Sequence, residues 1–285
     1  MIKHILISVV LLASATCAFA QHEELDKITD SISNEGKALY HSEWASWYGT
    51  DIFVAKCPAK RLLSGGYFSY ETDDNLINLF FSKDAEPVVL ATITFGKDFN
   101  AENYKLDTVP RKLNKIEHDY YMIRTAALKR SQTDTTFKYF KNTSFNIVPL
   151  IQKNVKKVYA LTGPNVSGMV IFGNDYLMSF DNDNQITAVK KLHKNLISIN
   201  TKTDTGKVNI ATMHTHLPES GDFMSATDIC TLLLYEKFTT WNQHYVISKN
   251  DVSIWDCKKD ILVILTMDAW KRIDADQKNR HPDKQ

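Results

Sequence analysis

The run Ala211-Thr-Met-His-Thr-His-Leu-Pro-Glu-Ser-Gly-Asp-Phe-Met-Ser-Ala-Thr-Asp228 sets two histidines and a carboxylate at metal-ligand spacing, which ties a strand, a loop and a helix to one point in space. Alternate side chains of an extended strand share a face, so His214 and His216 point the same way across Thr215 and can reach one ion. Asp228 closes the set. It opens an apolar run, Ile229, Leu232, Leu233 and Leu234, that reads as a helix capped by Ser225 with Asp228 three residues on. Three protein ligands leave the fourth tetrahedral position of a zinc ion for water, the catalytic arrangement rather than the structural one. The same residues also admit a plainer reading, a half-buried strand followed by a common helix cap.

His-x-His, a turn-rich loop and then Ser-x-x-Asp entering a helix resembles the JAMM (JAB/MPN) metalloprotease signature. The helix is followed by Gln243 to Ser248, Val252 to Cys257 and Ile261 to Thr266, three strand-like runs separated by Lys-Asn-Asp and Lys-Lys-Asp turns, as at the end of that family's domain. Upstream, Lys156 to Gly163 is similar to the strand that opens the family's sheet and carries its catalytic glutamate. The likeness covers residues 145–270. It implies a mixed sheet with zinc held by His214, His216 and Asp228, Ser225 donating to a developing oxyanion, and a peptide or isopeptide amide as substrate. Zinc in such a site would lower the pKa of a water toward about 7 and polarise a carbonyl.

The chain departs from the pattern in three places. Leu217 stands where the family has proline, and the loop from Leu217 to Met224 is one residue longer than usual. No glutamate occurs between His118 and Pro218, and the place expected for one falls near Lys156. A general base must be a carboxylate or similar group within hydrogen-bond reach, so Glu219, and after it Asp222, become the candidates by proximity in sequence. Two functions follow: a zinc-dependent amide hydrolase, or a non-catalytic binding or structural module that has lost its glutamate. In either case the partner is a peptide or protein.

Met1-Ile-Lys-His, an apolar run from Ile5 to Leu12 and the small-residue ending Ala18-Phe-Ala20 read as an export leader, residues 1–20, with the mature chain starting at Gln21. The alternative is a lipoprotein leader acylated at Cys17. Later segments lack the roughly 18 uninterrupted apolar residues of a membrane helix. Lys and Arg number 34 and Asp and Glu 33; loss of Lys3 with the leader brings the formal charge to zero, so nothing steers the protein to nucleic acid. Of the four cysteines, Cys57, Cys230 and Cys257 remain. An oxidising compartment permits a Cys230–Cys257 bond, and three small core side chains are the other reading.

The mature chain reads as α+β, with an N-terminal helix-plus-antiparallel-sheet region at 21–140 and the JAB/MPN-like domain at 141–285. Leu25 to Tyr48 has helical spacing interrupted near Gly36. Gly66 to Glu71, Leu76 to Phe81 and Val88 to Phe95 read as an antiparallel meander, with Lys115 to Arg130 as a helix over it. Lys129 to Thr136 is the boundary candidate. Tyr67, Tyr70, Tyr120, Tyr121, Tyr139 and Phe140 are core side chains or the lining of a recognition groove. Gly168 to Gly173, Tyr176 to Phe180 and Ile186 to Leu192 read as strands, with Asp181 to Asn184 a tight turn rather than a calcium loop. His193 is a solvated histidine among lysines, or else a substitute ligand or proton carrier. The charged tail from Asp274 reads as frayed.

Overall fold

Helix α1, Ile2–Lys56, opens the chain. The computed structural model describes residues 2–201 and 209–280, with side chains from residue 23 onward. The expected leader, residues 1–20, therefore lies wholly outside the described side chains, and its backbone from Ile2 forms the start of α1. Among the described residues no helix is long and apolar enough to cross a membrane.

The meander forms as its β-branched and aromatic content suggests. Strands β1 (Ser64–Glu71), β2 (Asn75–Ser82) and β3 (Val88–Gly96) pair antiparallel in sequence order. Two short strands, β4 (Tyr104–Asp107) and β5 (Arg111–Lys112), both pair with β3. Helix α2, Lys115–Thr133, starts at a capping box: the Asn114 side chain accepts from the Glu117 N–H, and Glu117 Oε2 accepts from the Asn114 N–H. Tyr120 of α2 packs on Phe68 and Phe81 of the meander, while Ile123 and Ala127 pack into the next sheet beside Ile147 and Val158. The polar run Lys129–Thr136, the boundary candidate, comprises the last turn of α2, which ends at Thr133, and the three residues that follow it.

The second half contributes β6 (Thr143–Gln152), β7 (Val155–Pro164), β8 (Met169–Gly173), β9 (Tyr176–Phe180), β10 (Ile186–Lys191) and β11 (Leu196–Asn200). One antiparallel sheet runs β10-β9-β7-β6, and β8 pairs with β11 beside it. Sequence patterning passes over β6, whose Pro149 cannot donate to a ladder. Its place at the sheet edge, paired only with β7, is where proline is tolerated.

Next come β12 (Ala211–Thr215), α3 (Ala226–Tyr235), β13 (Gln243–Ile247), β14 (Asp251–Asp256), β15 (Ile261–Thr266) and α4 (Met267–Arg280). The sheet β12-β13-β14-β15 is mixed: β12 and β13 are parallel with α3 as their crossover, and the rest is antiparallel. The tail expected to fray is helical as far as Arg280, supported by Lys278–Asp274 and Arg280–Asp276 ion pairs one turn apart. Residues 281–285 lie outside the described part.

The break expected at Gly36 is absent, and α1 runs through it. A Cβ at Gly36 would stand 2.7 Å from both Cβ and Cγ2 of Ile229, so the glycine is there to let α1 and α3 pack closely. One core joins the two halves of the chain: Leu39 and Phe95 share it with Val148, Phe172, Ile229, Trp255 and Leu262. Cys57, Cys230 and Cys257 are free thiols, the first two fully buried in that core. Of the six aromatics singled out in the sequence, Tyr120 is core, whereas Tyr139 and Phe140 are exposed.

Candidate metal centre

Three elements converge on one buried point. His214 lies on the inner face of β12, and His216 follows it on the same side, its N–H donating to the Ile247 carbonyl at 2.9 Å and prolonging the pairing with β13. Asp228 occupies the third position of α3. Its Oδ2 accepts from both the N–H and the hydroxyl of Ser225, at 2.8 and 2.7 Å, so the cap that starts the helix also aims the carboxylate. His193 comes from the β10–β11 connection. It is 7% exposed, not the solvated histidine its lysine neighbours suggest.

The inward-facing atoms are the three imidazole Nε2 atoms and the Asp228 carboxylate. His216 Nε2 stands 2.9 Å from that of His193 and 3.1 Å from that of His214. The carboxylate lies 3.4 Å from His216, 3.6 Å from His214 and 3.7 Å from His193. Four ligands about 2.1 Å from a tetrahedral ion are about 3.4 Å apart, so these separations straddle that edge length. Asp228 Oδ1 is buried without a hydrogen-bond partner, as an oxygen reserved for an ion would be. The group His193, His214, His216 and Asp228 could hold a metal ion.

Behind two of these imidazoles stand partners that fix which nitrogen faces inward. His193 Nδ1 lies 3.2 Å from both oxygens of buried Asp175, and a proton held there leaves the Nε2 lone pair for the centre. His214 Nδ1 lies 2.9 Å from His244 Nε2, and His244 Nδ1 lies 2.7 Å from the Thr212 hydroxyl. Phe172 stacks on His244 with ring centres 4.6 Å apart. His216 Nδ1 is buried without a partner. Gly173, at φ +80°, lets the end of β8 meet the His193 loop, since a Cβ there would fall 2.3 Å from the Asn195 carbonyl.

The electrostatics follow from burial and these neighbours. Burial works against the charge on His193, but Asp175 and then Asp228 outweigh it and lift the pKa to about 9. For His214, burial dominates and lowers the pKa to about 4, with His216 and His193 adding to the effect. Burial likewise lowers His244 to about 3. Asp228 is held well below the usual carboxylate range because His193 and His214 overcome its burial. The centre therefore keeps its carboxylate ionised and the His214 imidazole neutral, the state a metal requires of those two groups, whereas His193 would have to give up a proton to bind one.

Other residues singled out in the sequence are placed elsewhere. Glu219, on the turn Pro218–Ser220, is exposed with its carboxylate 4.0 Å from Lys194. Asp222 accepts from the Asn250 side chain at 3.0 Å. Lys156, at the place expected for the missing glutamate, is buried and bonded to Asn184 and Asp119. Its strand β7 belongs to the sheet with β6, β9 and β10 rather than to that of the histidines. The second carboxylate beside the cluster is Asp175. Neither it nor His193 was marked by spacing, although an inward His244 on β13, alternating with Val246, was a readable sign. A cleft of about 120 Å³, lined by His193, His214, Lys194, Thr215 and Leu217, reaches the cluster from solvent. The chain matches no family model, no curated protein and no solved structure.

Proposed function

We propose that this protein binds one zinc ion through His193, His214, His216 and Asp228, and that it serves as an exported binding or structural module rather than as a hydrolase. The observation that carries this reading is the fourth ligand. His193 adds a fourth donor to the group, and four protein ligands are the mark of a closed, structural zinc site. All-nitrogen-and-oxygen donors with imidazole predominant suit zinc among the common divalent metals. The exposed position of Glu219 and its lysine partner supply no base at the centre, and export rests on the leader read at residues 1–20.

A second reading keeps the amide hydrolase. It is favoured by the cleft that reaches His193: released from the metal, the Asp175–His193 pair would leave a vacant position and stand beside it as a base. Ser225, read from the sequence as the oxyanion donor, instead donates its hydroxyl to Asp228 Oδ2 at 2.7 Å, so in that reading it positions the carboxylate. Elemental analysis of untagged, purified protein is expected to give about one zinc per chain, abolished by His214→Ala or His216→Ala. Metal-free protein that also takes up no added zinc would sink both readings. A mixed peptide and isopeptide library is expected to remain intact; zinc-dependent cleavage lost in Asp175→Asn would replace the first reading with the second.

A further inference from the structure

We propose that a cleft of about 240 Å³ between α1, β1, β6 and α3 binds an organic cation, an ammonium or guanidinium group carried on a flexible stem. Its walls combine two carboxylates, Glu43 and Asp51, with three aromatic rings, Trp47, Tyr67 and Tyr235, and no lysine, arginine or histidine lines it. A cation over an aromatic face is drawn to the ring's negative quadrupole, and acid beside aromatic rings is the combination that recognises such groups. The size is informative too. Sites that enclose whole small molecules measure roughly 300–1,000 Å³, so this one suits a single side chain or an amine head.

Two features mark it as more than a gap in packing. Thr50, also on the wall, has a buried hydroxyl that finds no hydrogen-bond partner among the described residues, although a polar group so placed normally finds one. Glu43 is held in place at one oxygen only, Oε2 accepting from the Asn146 side chain at 2.7 Å. Burial pushes its pKa up to about 7, so an arriving cation meets a carboxyl poised to give up its proton. Arg124 already lies over the ring of Tyr67 at 5.3 Å from its centre and acts on Glu43 through space, but among the described residues no ion pair joins the two, which leaves the carboxylate without a contacting cation. Trp47, 48% exposed, forms the rim.

The test uses full-length protein as purified, with N-acetyl-lysine N-methylamide and N-acetyl-arginine N-methylamide as probes and the norleucine analogue as an uncharged stem of the same shape. Binding is followed at the Trp47 indole N–H by NMR. A Kd of about 1 mM is expected for at least one cation, with norleucine about tenfold weaker or undetected. Glu43→Gln should weaken the cation about tenfold and Trp47→Leu by a comparable factor. Norleucine binding as tightly as lysine, or unchanged affinity in Glu43→Gln, overturns the proposal, as does the absence of any shift up to about 20 mM of both cations. Should Glu43→Gln fail to fold, Asp51→Asn and Trp47→Leu at the exposed rim decide in its place. Zinc content does not enter these readouts, so their failure leaves the metal reading untouched.

Discussion

Asp175 and His244 do the same work for different histidines of the cluster. Each takes the outer nitrogen of a cluster histidine and so fixes ring angle and tautomer, Asp175 for His193 and His244 for His214. His216 has no such partner, which leaves the other two supports the more important. Replacing Asp175 with asparagine keeps the shape but removes the charge that raises His193, and it lets the imidazole turn. A loss of about 10- to 100-fold in zinc affinity is expected, measured by competition with a chelator. Affinity equal to wild type would mean that His193 is not a ligand. At this scale three of the four cluster residues were legible, because strand alternation and a helix cap act over neighbouring positions. His193 was named only as an alternative ligand, because it lies in a Lys-rich stretch and only tertiary structure buries it beside Asp175.

Elements were legible where their ends carry side-chain signals. The starts of α2 and α3 both have an acceptor residue followed three positions later by an acid, and both are capping boxes in the structure. Edge strand β6, interrupted by Pro149, was missed, and so was β11, which is short although its Ile197 and Ile199 alternate with exposed Ser198 and Asn200. The start of α2 also carries load. Glu117 receives two 2.7 Å hydrogen bonds from Arg111 and one from the Tyr70 hydroxyl, which clamps helix to sheet. Burial alone would raise its pKa, but Arg111 and the Asn114 N–H prevail and lower it. The clamp therefore stabilises the protein above the unfolded carboxyl value of about 4.3 and is lost as pH falls through the lower folded value. Glu117→Gln should cost about 1–3 kcal/mol at pH 7 and far less near pH 3. Urea unfolding at the two pH values checks this; an equal cost at both would refute the assignment.

At the scale of the whole molecule, the division at residue 140 read from sequence describes order along the chain better than it describes the core, which draws on both parts. Composition could not reveal this, since the join is made by α1 reaching forward to α3. Gly36 is the point of closest approach. Alanine is worth about 1 kcal/mol over glycine within a helix, whereas overpacking a closed contact costs about 1–3 kcal/mol. Ile229 is fully buried and cannot yield cheaply, so packing should win. Gly36→Ala is expected to lower Tm by a few degrees, about 3–8 °C, in calorimetry of full-length protein. A higher Tm would show that helix propensity decides and that α1 stands farther from α3.

The parallel register of β12 and β13 sets Thr212 opposite His244 and His214 opposite Val246, and the chain of contacts from Thr212 through His244 to His214 exists only in that alignment. Moving a strand by one residue turns every side chain to the other face. Substitutions at the half-exposed positions 243, 245 and 247 can be absorbed one at a time, but a one-residue slip of this strand would strip His214 of its support and turn Val246 out of the core at one stroke. Over a lineage, this stretch should vary in letters while keeping its length, and insertions should collect in the exposed loop around Glu219 and Gly221, where an added Cβ meets nothing within 4 Å.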